Sequence, residues 1–107
     1  MKPIFFIGNS LAALRDFPDD ARSLAGQQLF DVQMGDEPVD WKPMPVVGPG
    51  VRELRIRQPS GAFRVIYLTT TKAGVVVFHA FEKKTQKTLQ PDIDLAQRRY
   101  RAWKKEQ

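Results

Sequence analysis

Val51-Arg52-Glu53-Leu54-Arg55-Ile56-Arg57, then Gln58-Pro59-Ser60-Gly61, then Ala62-Phe63-Arg64-Val65-Ile66-Tyr67: this run decides how the chain folds. Residues 51–57 alternate, with Leu54 and Ile56 facing one way and Glu53, Arg55 and Arg57 the other, as the two-residue period of a strand requires. Pro59, Ser60 and Gly61 supply turn chemistry. Residues 63–70 then resume the alternation, with Phe63, Val65 and Tyr67 on one face. Read as a four-residue loop, 58–61 pairs Arg57 with Ala62, and so sets Arg55 opposite Arg64, Leu54 opposite Val65 and Ile56 opposite Phe63. A one-residue slip would turn every apolar side chain to the wrong face, so the apolar matches choose this register.

The register gathers Arg55, Arg57 and Arg64 on one face of one hairpin. Like charges directly opposite each other cost about 0.2–1 kcal/mol, a cost that Glu53 offsets in part along the strand. Two readings follow. The arginines splay into water while their stems cover apolar surface, or they form a cradle for an oxyanion or a phosphate.

Outward from the hairpin, Lys72-Ala73-Gly74 turns the chain into Val75–Phe81, a nearly continuous apolar run that reads as an interior strand. Lys83, Lys84 and Lys87 follow it closely. Pro91-Asp92 opens a helix to about Lys105, with Ile93, Ala96, Tyr100 and Trp103 on one side. Upstream, Lys2–Ile7 reads as a strand. Asn9 or Ser10 caps a helix carrying Leu11, Leu14 and Phe17. Pro18-Asp19-Asp20 starts a second helix, with Ala21, Leu24, Ala25, Leu29 and Val32 as its stripe and Gly35 as its stop. Residues 36–50, rich in Pro and Gly, read as a long ordered connection in which Trp41, Met44 and Val46 are buried. The expected order is β-α-α-β-β-β-α: one α+β domain over residues 1–107, an antiparallel-rich sheet with the two N-terminal helices on one face.

Charge is divided unevenly. Residues 1–50 hold four basic side chains against seven acidic, and residues 51–107 thirteen against five. The second half is therefore the candidate anion-binding half, with a solvated helix face as the plainer alternative. The chain has no cysteine and one histidine. Disulfides, thiolate metal sites, cysteine nucleophiles and a histidine metal cage are excluded, and the N-terminal acids read as helix-start residues rather than as a metal site. No metal and no cofactor is expected. Ile4–Ile7 is too short for a signal peptide and no segment reaches membrane-spanning length, so no membrane partner is expected and the expected location is the cytoplasm.

His79 lies inside an apolar strand, where a histidine is either a satisfied core or rim residue or a base. If Thr70 pairs with Val75, His79 falls opposite Ile66 on the face of Arg64, where like charge would lower its pKa. Lys83 and Lys84 at a strand end are either a solubility device or cleft residues brought beside the arginines by the sheet. Tyr67 points to the core, and Tyr100 and Trp103 read as packing residues rather than base-stacking platforms.

The string 51–57, Gly61–Tyr67, Phe78-His79-Ala80-Phe81-Glu82-Lys83-Lys84-Thr85-Gln86-Lys87-Thr88, Asp40–Pro45 and the tail Asp92–Ala96 with Arg98-Arg99-Tyr100 together resemble the phage-derived HigB-like branch of the RelE toxin superfamily. The resemblance covers essentially the whole chain, and the Lys83–Thr88 string is its most specific part. It implies a RelE-like fold and the toxin of a type II toxin–antitoxin pair: a ribosome-dependent mRNA endonuclease that acts in the ribosomal A site without a metal. In such enzymes the ribose 2′-OH attacks the adjacent phosphate. It also implies a cognate antitoxin, a helix-turn-helix protein encoded next to the toxin, through which alone operator DNA is met. Carried over by position, Arg64 holds the scissile phosphate, Arg55 and Arg57 bind or activate the RNA, and Lys84 is the basic residue after the last strand with Lys83 beside it. Arg52, Lys83 and Lys87 join the RNA-binding set, and His79 joins the catalytic one. The general base stays open between Lys84, Lys83, His79 and an arginine-perturbed group. In some relatives a tyrosine beyond the basic pair stacks on a base; Thr88-Leu89-Gln90 stand there instead. Two alternatives accompany the nuclease: a catalytically degenerate RNA- or ribosome-binding module, and a protein whose basic surface only docks an antitoxin.

Overall fold

The computed structural model describes residues 1–85 and 87–107. Among them the order is β1 (Ile4–Phe6), α1 (Ser10–Arg15), α2 (Asp19–Gln33), β2 (Trp41–Pro43), β3 (Arg52–Gln58), β4 (Gly61–Leu68), β5 (Val75–Glu82) and α3 (Gln90–Lys105). The strands form one mixed sheet in the order β1-β5-β4-β3-β2. Of the pairings among these strands only that of β1 is parallel, matching Ile4–Phe6 with Val75–Val77. The fold is the expected α+β arrangement with one strand more than the sequence suggested. Residues 41–43, read as connection, pair with Leu54, Glu53 and Arg52 and edge the sheet.

The β3–β4 hairpin has the expected register: Arg55 faces Arg64, Leu54 faces Val65, Ile56 faces Phe63 and Arg57 faces Ala62. Gln58 and Gly61 also pair, so the turn is tighter than a four-residue loop. Asp20 at the start of α2 holds that turn, accepting from Ser60 Oγ at 2.5 Å.

The β4–β5 pairing departs from the expected path. Leu68 pairs with Val76 and Tyr67 with Val77, yet Ile66 pairs with His79. The premise that Thr70 pairs with Val75 fails, but one additional residue on β5, Phe78, restores the sum and sets His79 opposite Ile66 as expected. Such a bulge frees a backbone group, and here the Phe78 carbonyl accepts from Arg99 Nη1 at 2.8 Å. Arg99 Nη2 reaches Asn9 Oδ1 at 2.6 Å. Asn9 is therefore engaged by α3 and makes no side-chain cap on α1, contrary to the capping expectation. Ser10 Oγ donates instead to the Val77 carbonyl.

The two faces of the sheet bury different partners. One face packs Leu54, Ile56, Phe63, Val65, Tyr67, Val75, Val77 and Ala80 against α1 and α2. The other packs Ile66, Leu68, Val76 and Phe78 against Ala96, Ile93, Tyr100 and Trp103 of α3, with Met44, Val47 and Val51 filling in. Val47, not the expected Val46, is the buried valine of the connection, and Val46 is exposed. Gly35, at φ +93°, ends α2 as the sequence suggested. No described helix is long and apolar enough to cross a membrane.

Candidate functional site

The residues of the second face form rows across the sheet, two residues apart along each strand. Lys42, Glu53, Ile66 and His79 make one row, since Lys42 pairs with Glu53, Glu53 with Ile66 and Ile66 with His79. Arg55, Arg64 and Phe81 make the next. Arg57, Ala62 and Lys83 make the third, with Lys83 N donating to the Ala62 carbonyl at 2.8 Å. Helix α3 covers the face on the Leu68 and Val76 side of the first row. On the other side, over the second and third rows, the face is open, and Arg55, Arg57, Ala62, Arg64, Lys83, Lys84 and Thr85 line a cleft of about 520 Å³.

The floor of the cleft is Arg64, only 3% exposed. Its Nη1 donates to the Phe63 carbonyl at 3.0 Å, and its Nε lies 3.5 Å from Glu53 Oε1. Burial pushes the Arg64 guanidinium down from its usual range, while Glu53 acts in the opposite sense. Arg55 is partly covered and Arg57 mostly exposed, each with a nitrogen 4.0 Å from a carboxylate oxygen of Asp40. Lys83 also titrates lower than usual, because of desolvation and then the positive charge of Arg64.

In the sequence Glu53 reads only as a charge offset along its strand. The structure makes it the anionic centre of the site. It is fully buried, at 0% exposure. Besides Arg64, its Oε1 faces Lys42 Nζ at 3.8 Å and Arg55 Nε at 3.9 Å. Its Oε2 accepts from Thr88 Oγ1 at 2.5 Å. The strand pattern marked Glu53 as facing away from the apolar side; its burial arises because the chain after β5 returns across the face to place Thr88 over it.

The other sequence candidates lie elsewhere. Arg52 sits away from the cleft, with its guanidinium carbon 3.9 Å from the centroid of the Trp41 ring and its Nη1 2.9 Å from Glu37 Oε2. Lys87 is exposed and its carbonyl accepts from Thr85 Oγ1 at 2.7 Å. His79 is on the face of Arg64 but does not line the cleft. Its Nε2 stands 2.7 Å from Asp92 Oδ1 at the start of α3, its ring stacks on Phe81 at 4.7 Å, and its Nδ1 is buried without a partner among the described residues. Its pKa is lowered, but the cause is mainly burial and only slightly the positive charge of Arg99, while Asp92 pulls the other way; the arginines of the hairpin are not the cause. Among the described residues no three His, Asp or Glu side chains stand together as a metal site.

The cleft thus presents several cations to an anion such as a phosphodiester. Among the described residues no aromatic ring lines it. No curated protein matches the chain. Residues 12–101 match the phage-derived Gp49-like proteins, a family associated with toxin–antitoxin pairs, and with most of its length matched the chain belongs to that family.

Proposed function

We propose that this protein is the toxin of a type II toxin–antitoxin pair and cuts mRNA in the Arg64 cleft while bound in the ribosomal A site. One observation carries the reading. Arg55, Arg57, Arg64, Lys83 and Lys84 converge on one open cleft, and the acid nearest its floor, Glu53, is buried beneath them. Cations so placed hold RNA through its backbone and stabilise the charge that develops on a phosphorane. The ribose 2′-OH loses its proton and attacks the adjacent phosphorus. The P–O5′ bond breaks and the 5′ oxygen takes up a proton, leaving a 2′,3′-cyclic phosphate and a 5′-OH. Arg64 and Arg55 neutralise the non-bridging oxygens. Lys83, which lines the cleft beside Arg64, is the group we assign to carry a proton. His79 is turned to Asp92 and serves the packing of α3. A helix-turn-helix antitoxin would keep the cleft from RNA.

The test maps transcript 5′ ends after induction of the protein without an antitoxin, in translating cells and in purified ribosome complexes. Discrete cuts in phase with codons, with 5′-OH ends, support the proposal. Growth arrest without such cuts overturns it in favour of a binding module, the reading that the missing aromatic ring favours.

A further inference from the structure

Glu53 is a carboxylate with no exposure, set among three cations, on the boundary between the face covered by α3 and the open cleft. Burying an acid is costly unless it is compensated. Arg64, Arg55 and Lys42 supply the compensation at 3.5, 3.9 and 3.8 Å. None of these approaches has hydrogen-bond geometry, and Glu53 Oε1, Arg55 Nε and Arg64 Nε all lack a hydrogen-bond partner among the described residues. The hydrogen bond that Glu53 does accept comes from Thr88, beyond the lysine string. One carboxylate thus touches both arginines from below and also the segment that carries Lys83 and Lys84.

We propose that Glu53 is the positioning residue of the cleft: it aims Arg64 and Arg55 from beneath and, through Thr88, holds Lys83 and Lys84 against them. With Nη1 of Arg64 on the Phe63 carbonyl and Nε turned to Glu53, Nη2 is the part of the guanidinium left for a phosphate. The carboxylate also lowers the repulsion between Arg55 and Arg64, so the two can stay converged before RNA arrives. This is electrostatic preorganisation: charged groups held in place before the substrate enters. Glu53 need not touch RNA.

The role rests on the proposed cleavage, but one readout does not. In the ¹⁵N-labelled full chain, the Nε–Hε signals of Arg64 and Arg55 report their setting directly. Glu53→Gln, of nearly the same shape, is expected to shift both signals and speed their hydrogen exchange. Thr88→Val is expected to loosen Lys83, Lys84 and Thr88 in backbone relaxation, whereas Thr88→Ser preserves the wild-type pattern. In cleavage assays Glu53→Gln should lower kcat about a hundredfold, the size of loss that small misplacements produce, with RNA affinity equal to or tighter than wild type because one negative charge is gone. Thr88→Val should lose about tenfold, one hydrogen bond to a charged group, and Thr88→Ser should restore it. Unchanged arginine signals in Glu53→Gln, or a Thr88→Val chain in which Lys83 and Lys84 stay ordered, overturn the proposal. Wild-type protein that cuts no RNA, with the arginine signals still shifted in Glu53→Gln, overturns the nuclease reading and leaves Glu53 as the organiser of an RNA-binding cleft.

Discussion

Arg55 on β3 and Arg64 on β4 are directly cross-strand partners, and the Nε of each lies within 4 Å of the same buried oxygen, Oε1 of Glu53. A pair of like charges held at a strand crossing is a poor arrangement for stability alone. It becomes useful when an anion is to be bound, and the following expectations rest on that.

Arg64→Ala is expected to abolish growth arrest and cleavage while the protein still folds. The floor of the cleft loses its cation, and Glu53 loses the nearest of its three. Leaving a buried polar group less well paired costs about 1–3 kcal/mol, offset in part by relief of the Arg55–Arg64 repulsion. Urea denaturation with cell growth checks both halves; full toxicity in this variant removes Arg64 from the mechanism.

RNA affinity should fall steeply with salt. For single strands the slope of log K against log salt is about −0.7 per phosphate neutralised. Lys84→Ala, an exposed change at the cleft wall, should weaken binding and flatten that slope by about 0.7. Arg52→Ala should leave the slope as it is, since Arg52 sits over Trp41 away from the cleft. Fluorescence anisotropy over a salt series reads both; a larger flattening from Arg52→Ala would place the RNA on the other side of β3.

His79 titrates below its usual range because it is buried. The unfolded chain therefore takes up the proton first as pH falls, and the folded state loses stability in that interval. The contribution of His79 is fully present above the ordinary histidine range near 6.5 and is lost as pH drops through the lower folded value. Urea midpoints of the wild type should decline across this window. His79→Asn should show a smaller decline, and an equal decline in the two chains would assign the pH dependence to other groups.

Gly48 is packed against the ring of Tyr100: a Cβ built there would stand 2.6 Å from a ring carbon. Gly48→Ala is expected to destabilise by about 1–3 kcal/mol through overpacking. Tyr100→Leu in the same chain should recover a large part of that loss, because the obstacle is removed with the ring. A thermodynamic double-mutant cycle measures the coupling, and additive effects would show that the two positions do not meet.

The amino-acid order alone determined the β3–β4 register, the inward Tyr67, both ends of α2 and the apolar side of α3. Each follows from a local rule: a two-residue side-chain period, matched apolar pairs across a turn, or a helical stripe ended by a glycine. The meeting of Arg55, Arg57 and Arg64 on one face follows from the same rules and was legible in the residues themselves. Tertiary structure decided the rest. Trp41–Pro43 is too short and too rich in flanking prolines to announce a strand, and becomes one because β3 offers it an edge. The Phe78 bulge has no signature in an apolar run, and the group that takes up its carbonyl, Arg99, comes from α3. Alternation shows which way Glu53 points but not whether water reaches it. That depends on the chain far downstream, which brings Thr88 across an open face, and burial of this kind is a property of contacts between distant segments that no local period records.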